Sequence, residues 1–169
     1  MKPKAFETER LTLTPVSTDD AELIFRLYNE PKFIEFIGDK NIRSVEDADR
    51  YIKEKFHPHI EQFGFGNYVI TRKSDGIKLG TVGVFGREGL EVHDIGFALL
   101  PEFENGGYAL EAAQKLFEAA ISEFGLKKIS AITTHANLKS QKLIAKLGMK
   151  FVKNVRLPGD GEELRYFES

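Results

Sequence analysis

The stretch EVHDIGFALLPEFENGGYALEA, residues 91–112, constrains this chain more than any other. Val92, Ile95, Phe97 and Leu99 lie in a mostly apolar run that Pro101 closes, which reads as a strand. Asn105, Gly106 and Gly107 form a glycine turn, and the Ala- and Leu-rich run from Tyr108 reads as a helix. A strand that delivers a glycine turn to a helix N-terminus makes an anion cradle. Backbone N–H groups stand unpaired in the first helical turn, and the helix dipole favours negative charge there. A phosphorylated ligand is therefore expected on Gly106 and Gly107, with the chemistry beside the strand.

The rest of the chain arranges itself around that unit. Leu110, Ala113, Phe117, Ile121 and Phe124 step by three and four along the helix, and Gly125 stops it. Lys128 to Thr134 reads as a strand, parallel to the one before because a helix connects them. Upstream, Phe65 to Arg72 and Lys78 to Phe85 are strands separated by a Ser-Asp-Gly turn, and Gly86 to Gly89 turns back into the strand of residues 92–99. These three strands form an antiparallel meander.

Arg10 to Pro15 alternates as a first strand. Ser17 or Thr18 caps a helix over Asp19 to Tyr28, which Pro31 breaks, and Lys32 to Ile37 is a further helical turn. Ser44 caps a helix from Val45 to about Ile60. Asn137 opens the last helix, Gly148 ends it, and Phe151 to Arg156 and Leu164 to Phe167 are the closing strands. The expectation is one α/β (α+β) domain over residues 1–169, with a mixed, twisted sheet of seven strands and helices on both faces.

The chain has no cysteine, so disulfides, thiolate metal sites and cysteine nucleophiles are excluded. Its start, MKPKAFETER, has no apolar core of a secretory signal, and no apolar run approaches membrane-spanning length. A cytoplasmic enzyme, without a membrane partner, is the expectation. The net charge of −2 conceals an asymmetry: Leu126 to Leu157 holds no acid but carries Lys127, Lys128, Lys139, Lys142, Lys146, Lys150, Lys153 and Arg156. Two readings stay open, a set of solvated faces and a polyphosphate ligand drawn to this third. No aromatic-rich basic groove or reader motif accompanies the charge, so direct nucleic-acid binding is not expected.

The glycine turn is not a nucleotide P-loop, since no Lys-Ser or Lys-Thr follows it, and G-x-G-x-x-G is absent. With its flanks it resembles the GNAT N-acetyltransferase family, whose pyrophosphate loop reads Arg/Gln-x-x-Gly-x-Gly/Ala. Glu104, Asn105, Gly106, Gly107, Tyr108 and Ala109 occupy that loop, with Gly107 and Ala109 on the two diagnostic positions. DIGFALLPEFENGGYALEA, ETERLTLTPVSTDDAELIFRLYNEP and NLKSQKLIAKLGMKF resemble the RimJ/RimL-like branch, which acetylates ribosomal-protein N-termini. The resemblance covers essentially the whole chain. Glu104 departs from the usual Arg or Gln, Gly106 from a frequent Lys or Arg, and Ile144 from a frequent tyrosine.

The resemblance implies acetyl transfer from acetyl-CoA to a primary amine, a protein N-terminus or a small molecule, by direct attack in a ternary complex. It implies that the fourth and fifth strands splay to admit acetyl-CoA, and that backbone groups of Phe97, Ala98 and Leu99 polarise the thioester carbonyl. Lys142 is a candidate for a CoA phosphate. Asn137 would contact the pantetheine arm and Ser140 would lie near the sulfur. By itself, however, an Asn three residues before Ser140 also reads as a plain helix cap.

Asp94 is the candidate base. On a regular strand it shares a face with Gly96 and Ala98, which leave room for a ligand. An ion-paired acid at a strand start is the other reading. His93 points to the opposite face. His57-Pro-His59 lacks matching downstream ligands, so no metal is expected. Tyr28 to Ile37 and Leu157 to Glu163 are expected to line the acceptor side, with Asp160, Glu162 and Glu163 able to attract a cation. A monomer or homodimer is expected. A non-catalytic CoA-sensing domain and, more distantly, a nucleic-acid module are the alternatives.

Overall fold

A computed structural model describes residues 3–159 and 161–169. Eight strands form one sheet in the order β1-β2-β3-β4-β5-β6-β8-β7. They are β1 (Phe6–Glu7), β2 (Leu11–Pro15), β3 (Asn67–Arg72), β4 (Lys78–Phe85), β5 (Asp94–Leu99), β6 (Ser130–Thr134), β7 (Lys150–Val155) and β8 (Leu164–Glu168). The helices are α1 (Ala21–Tyr28), α2 (Pro31–Phe36), α3 (Val45–Tyr51), α4 (His57–Phe63), α5 (Tyr108–Ser122) and α6 (Leu138–Lys146). The sequence pattern predicts seven strands. The eighth, β1, is two residues long, too short to show an alternation, and exists through its pairing of Phe6 with Leu13 and Glu7 with Thr12.

The expected meander is present: β3 pairs antiparallel with β4, and β4 with β5. β5 and β6 are parallel, as the connecting helix requires, but their register holds one pair, Asp94 with Ser130. Ser130 fastens this end twice more, its N–H donating to the His93 carbonyl (2.8 Å) and its hydroxyl to that of Val92 (3.0 Å). Beyond it no further β5–β6 pair forms among the described residues. The β6-facing backbone of Ile95 to Leu99 is left without a strand partner in the middle of the sheet.

Two apolar layers hold the sheet. Ala112, Ala113, Leu116, Ala119 and Ala120 of α5 pack on one face with Leu13, Tyr68, Ile70 and Ile144. Ile24, Leu27, Ala48 and Ile52 pack on the other with Val69 and Leu100. The alternation of β3, Tyr68 and Ile70 against Val69, divides the layers residue by residue. Small alanines on α5 let its axis lie close to the sheet.

Ser44 caps α3 as expected, its hydroxyl accepting from the Asp47 N–H at 3.0 Å. The expected single helix to Ile60 is interrupted by a π-helical turn, Ile52–Phe56, between α3 and α4. Pro58 explains the interruption, because it has no N–H to continue the regular ladder. Tyr51, just before this turn, and Phe56, at its end, line a cavity described below.

Candidate active site

The glycine turn is built as a strained, open cradle. Asn105 and Gly107 both have positive φ, 68° and 80°, so a Cβ-bearing residue at Gly107 would hold an unfavourable backbone. The first helical bond of α5 is made by the Glu111 N–H to the Gly107 carbonyl, and no side chain caps the helix. The N–H groups of Tyr108, Ala109 and Leu110 therefore precede the ladder, as an anion site needs.

Arg10 braces the turn from behind. Its guanidinium donates to Glu111 (2.7 Å) and to the Gly106 carbonyl (3.1 Å), and lies over the Tyr108 ring at 4.3 Å. The Thr8 hydroxyl and the Arg10 N–H also donate to Glu111, which holds that carboxyl below its usual range although burial opposes it. The sequence pattern gives Arg10 and Glu111 no role, because they lie on different elements about a hundred residues apart.

This turn opens on a cavity of about 700 Å³. Phe97, Ala98 and Leu99 of β5 line one side, Glu104, Asn105, Gly107, Tyr108 and Ala109 the turn, and Asn137, Ser140 and Lys142 the opposite wall. The expected cofactor-binding residues thus converge, except Gly106, whose part is its carbonyl bond to Arg10. Glu104 does not face the cavity as a bare negative charge: Lys32 of α2 and Lys139 of α6 stand 3.2 and 3.5 Å from its carboxylate. The Asn137 side chain accepts from the Ser140 N–H at 3.2 Å, so the helix-cap reading holds for its Oδ1. Ile144 is 1% exposed and belongs to the core rather than to the cavity.

A second cavity, about 210 Å³, adjoins the first. Both are lined by Phe33, Ile37, Phe97 and Ala98, so the parted stretch of β5 is a wall common to the two. The small cavity is aromatic. Tyr28 and Phe33 stack with centroids 4.1 Å apart, and Tyr51 meets Phe56 edge-on at 5.3 Å. Of the stretch Tyr28 to Ile37, Tyr28, Phe33 and Ile37 line this cavity, the last two in common with the large one. The described residues of the other stretch, 157–159 and 161–163, line neither cavity. Pro158 leans on Gly89 instead, and Glu163 lies 3.2 Å from His135; Asp160 falls outside the described residues.

Asp94 is 1% exposed and also lines neither cavity. Its Oδ1 accepts from Arg87 Nε at 2.7 Å. Burial pushes the carboxyl up, against the pull of Arg87. An amine in the cavity would reach Asp94 only through water or after a movement of Arg87, which itself lines the small cavity.

His59 holds no lone pair for a metal. Nε2 accepts from the Gly86 N–H at 3.0 Å, and Nδ1 lies 3.0 Å from the Phe65 carbonyl, to which it donates as the other nitrogen's acceptor role requires. Burial also lowers its pKa, in keeping with a neutral ring. His93 packs against Phe63 and Phe65 at 5.1 and 5.3 Å, as a core histidine does.

Comparison with known proteins gives the family and the fold. The family model described as an acetyltransferase (GNAT) domain matches residues 10–150. The uncharacterized N-acetyltransferase YoaA of Bacillus subtilis is 29% identical over 147 residues, covering 85% of this chain and 81% of that protein. The uncharacterized N-acetyltransferase YjdG of the same organism is 37% identical over 103 residues, or 60% of this chain and 61% of its own. Among solved structures, an acetyltransferase from Agrobacterium tumefaciens superposes with a TM-score of 0.83 at 21% identity, covering 100% of this chain and 95% of that one. RimL, a ribosomal L7/L12 alpha-N-protein acetyltransferase in complex with coenzyme A, gives 0.82 at 14%, with 98% and 97% covered. At these identities the structural likenesses speak to the fold.

Proposed function

The chain belongs to the GNAT acetyltransferase family, and from that premise we propose that it moves the acetyl group of acetyl-CoA to a primary amine by direct attack in a ternary complex. The observation that carries this reading is the wall of β5 that both cavities share. It gives the donor and the acceptor adjoining spaces that meet at Phe97 and Ala98.

The roles follow from the local chemistry. N–H groups of Tyr108, Ala109 and Leu110 bind the pyrophosphate, and Lys142 binds a CoA phosphate. The unpaired backbone of Phe97 to Leu99 donates to the thioester oxygen as charge develops there. Asn137 spends Oδ1 on its own helix and can offer Nδ2 to the pantetheine arm. The acceptor nitrogen attacks the acetyl carbon, a C–N bond forms, the C–S bond breaks, and the thiolate leaves. Ser140, which lines the large cavity, or water supplies its proton. The amine's own proton passes to water from the small cavity, or through water to Asp94; burial favours the second route by raising that carboxyl's basicity, and the Arg87 bond disfavours it.

A ribosomal-protein N-terminus and a small-molecule amine are both candidate acceptors, and a monomer or a homodimer would serve either. Calorimetry with acetyl-CoA, followed by release of CoA thiol in the presence of amines, tests the reading. Binding and amine-dependent release are expected. Binding without release under any amine would support a sensing domain instead, and no binding would remove both.

A further inference from the structure

The small cavity has a charge that the acetyl-transfer reading does not use. Its lining includes Lys40, Lys55 and Arg87 and, among the described residues, no Asp or Glu. Arg87 spends Nε on Asp94, and among the described residues its terminal nitrogens make no hydrogen bond. Asn67, also in the lining, is 5% exposed; its amide lies near enough to the Tyr28 hydroxyl to pull that group's pKa down against burial, but its Nδ2 makes no hydrogen bond of normal geometry among the described residues. A buried amide donor left unsatisfied is costly unless a ligand completes it. The remaining titratable groups that face the cavity, Tyr28, Tyr51 and neutral His59, carry no negative charge.

Donors and cations on aromatic walls fit an anion attached to an apolar body. They do not fit a polyamine, whose second ammonium would be pressed against like charge without a carboxylate to receive it. The volume of about 210 Å³ is below that of a drug-sized pocket and suits a molecule of amino-acid size. Resting on the acetyl-transfer reading above, we propose that the acceptor is a free amino acid with an apolar or aromatic side chain, its carboxylate held by Arg87 and Asn67. Asp94 is then a positioning residue that aims Arg87. The transfer is unchanged: the α-nitrogen bonds the acetyl carbon, the C–S bond breaks, one amine proton goes to water and CoA departs as thiolate.

The test is a matched panel at saturating acetyl-CoA: the twenty free amino acids, their α-amides as stand-ins for a peptide N-terminus, and spermidine, read by thiol release. The amide's amine is less basic and so more often neutral, which biases the panel against the proposal. At least one apolar or aromatic amino acid is expected to exceed its amide tenfold or more in kcat/KM. Removing Arg87 alone would strand the Asp94 charge, so Arg87→Met is paired with Asp94→Asn in a double variant, with the exposed Lys55→Met as a second, independent variant. The double variant is expected to bring acid and amide within threefold, and Lys55→Met to narrow the gap partway. Equal or better use of the amides or of spermidine overturns the proposal, as does acetyl-CoA binding with no turnover of any free amino acid. Failure to bind acetyl-CoA, measured by calorimetry, overturns the reading beneath it instead.

Discussion

The two cavities are made in opposite ways. The large one is built from backbone: an uncapped helix start, a turn with two positive φ angles and a strand edge without a partner. The small one is built from side chains on α1, α2, the π-helical turn, β3, β4 and β5. A surface of peptide groups recognises what many ligands share, such as a phosphate or a carbonyl. A surface of side chains recognises what one ligand has. That division suits a common acetyl donor and a particular acceptor, and it says where substitutions should act together and where apart.

The largest effect is expected where the cavities share a wall. A Cβ on Gly80 of β4 would lie 2.1 Å from the Ala98 carbonyl oxygen, and backbone cannot swing aside as a side chain can. Gly80→Val should therefore cost about 3 kcal/mol of stability, the upper end for overpacking, and impair both sides together. Urea unfolding measures it. A loss below about 1 kcal/mol would show that β4 and β5 can part locally, and the common wall would no longer be a rigid one.

Next is the cradle alone. Gly107→Val places a β-branched residue at a φ of 80°, with its Cβ 3.4 Å from the Arg10 guanidinium. Acetyl-CoA affinity should fall at least tenfold, about 1.4 kcal/mol. The acceptor preference, carried by the other cavity, should stay as it was. Calorimetry on a variant whose melting shows it folded is the measurement, and unchanged affinity would move the pyrophosphate off this turn.

The same contrast explains what could be read from the sequence. The turn, the meander and the parallel crossover are local patterns, and they survive in the structure with bounds displaced by a residue or two. Eleven of the residues expected around acetyl-CoA line one cavity, and each of their motifs is a short contiguous stretch at a strand end or a helix start. Arg87 was illegible, since it sits in a turn where a lone arginine reads as solvated surface. Only the fold brings it to Asp94, across the reversal between β4 and β5. Asn67, Tyr51 and Phe56 are of the same kind, each ordinary in its own element and meaningful only where three elements meet. The stretch after β7 shows the opposite: its acids suggest a cation site, but the side chains of Leu157 and Pro158 lie against Gly89, and its described residues line neither cavity.

Asp94 sharpens the boundary between the two regions. Asp94→Asn keeps an acceptor oxygen for Arg87 but removes the charge that fixes it. If the residue acts by aiming Arg87, KM for the acceptor should rise about fivefold, with kcat and the pH profile little changed. A general base at this position would instead lower kcat by about a hundredfold and flatten the acid limb of the profile. The split between KM and kcat decides, and acetyl-CoA affinity should be near wild type either way.

The smallest effect is expected at Ser140. It lies at the third residue of α6, where its N–H is taken by the Asn137 cap, and it lines the large cavity. At the position where the family resemblance would put a tyrosine stands Ile144, which is buried in the core and can protonate nothing. The question is what the thiolate needs. A thiol of this type has a pKa of about 8.5, so its thiolate is already a fair leaving group. At pH 7 protonation gains only about 1.5 units, roughly 2 kcal/mol, and water in an open cavity competes for that role. Ser140→Ala should therefore cost no more than about tenfold in kcat, with acetyl-CoA binding retained, because the cap that shapes this wall uses the backbone and not the hydroxyl. A thousandfold loss, about 4 kcal/mol, would mean that one side chain governs the backbone-built cavity after all, and the contrast between the two sides would fail at the reacting sulfur.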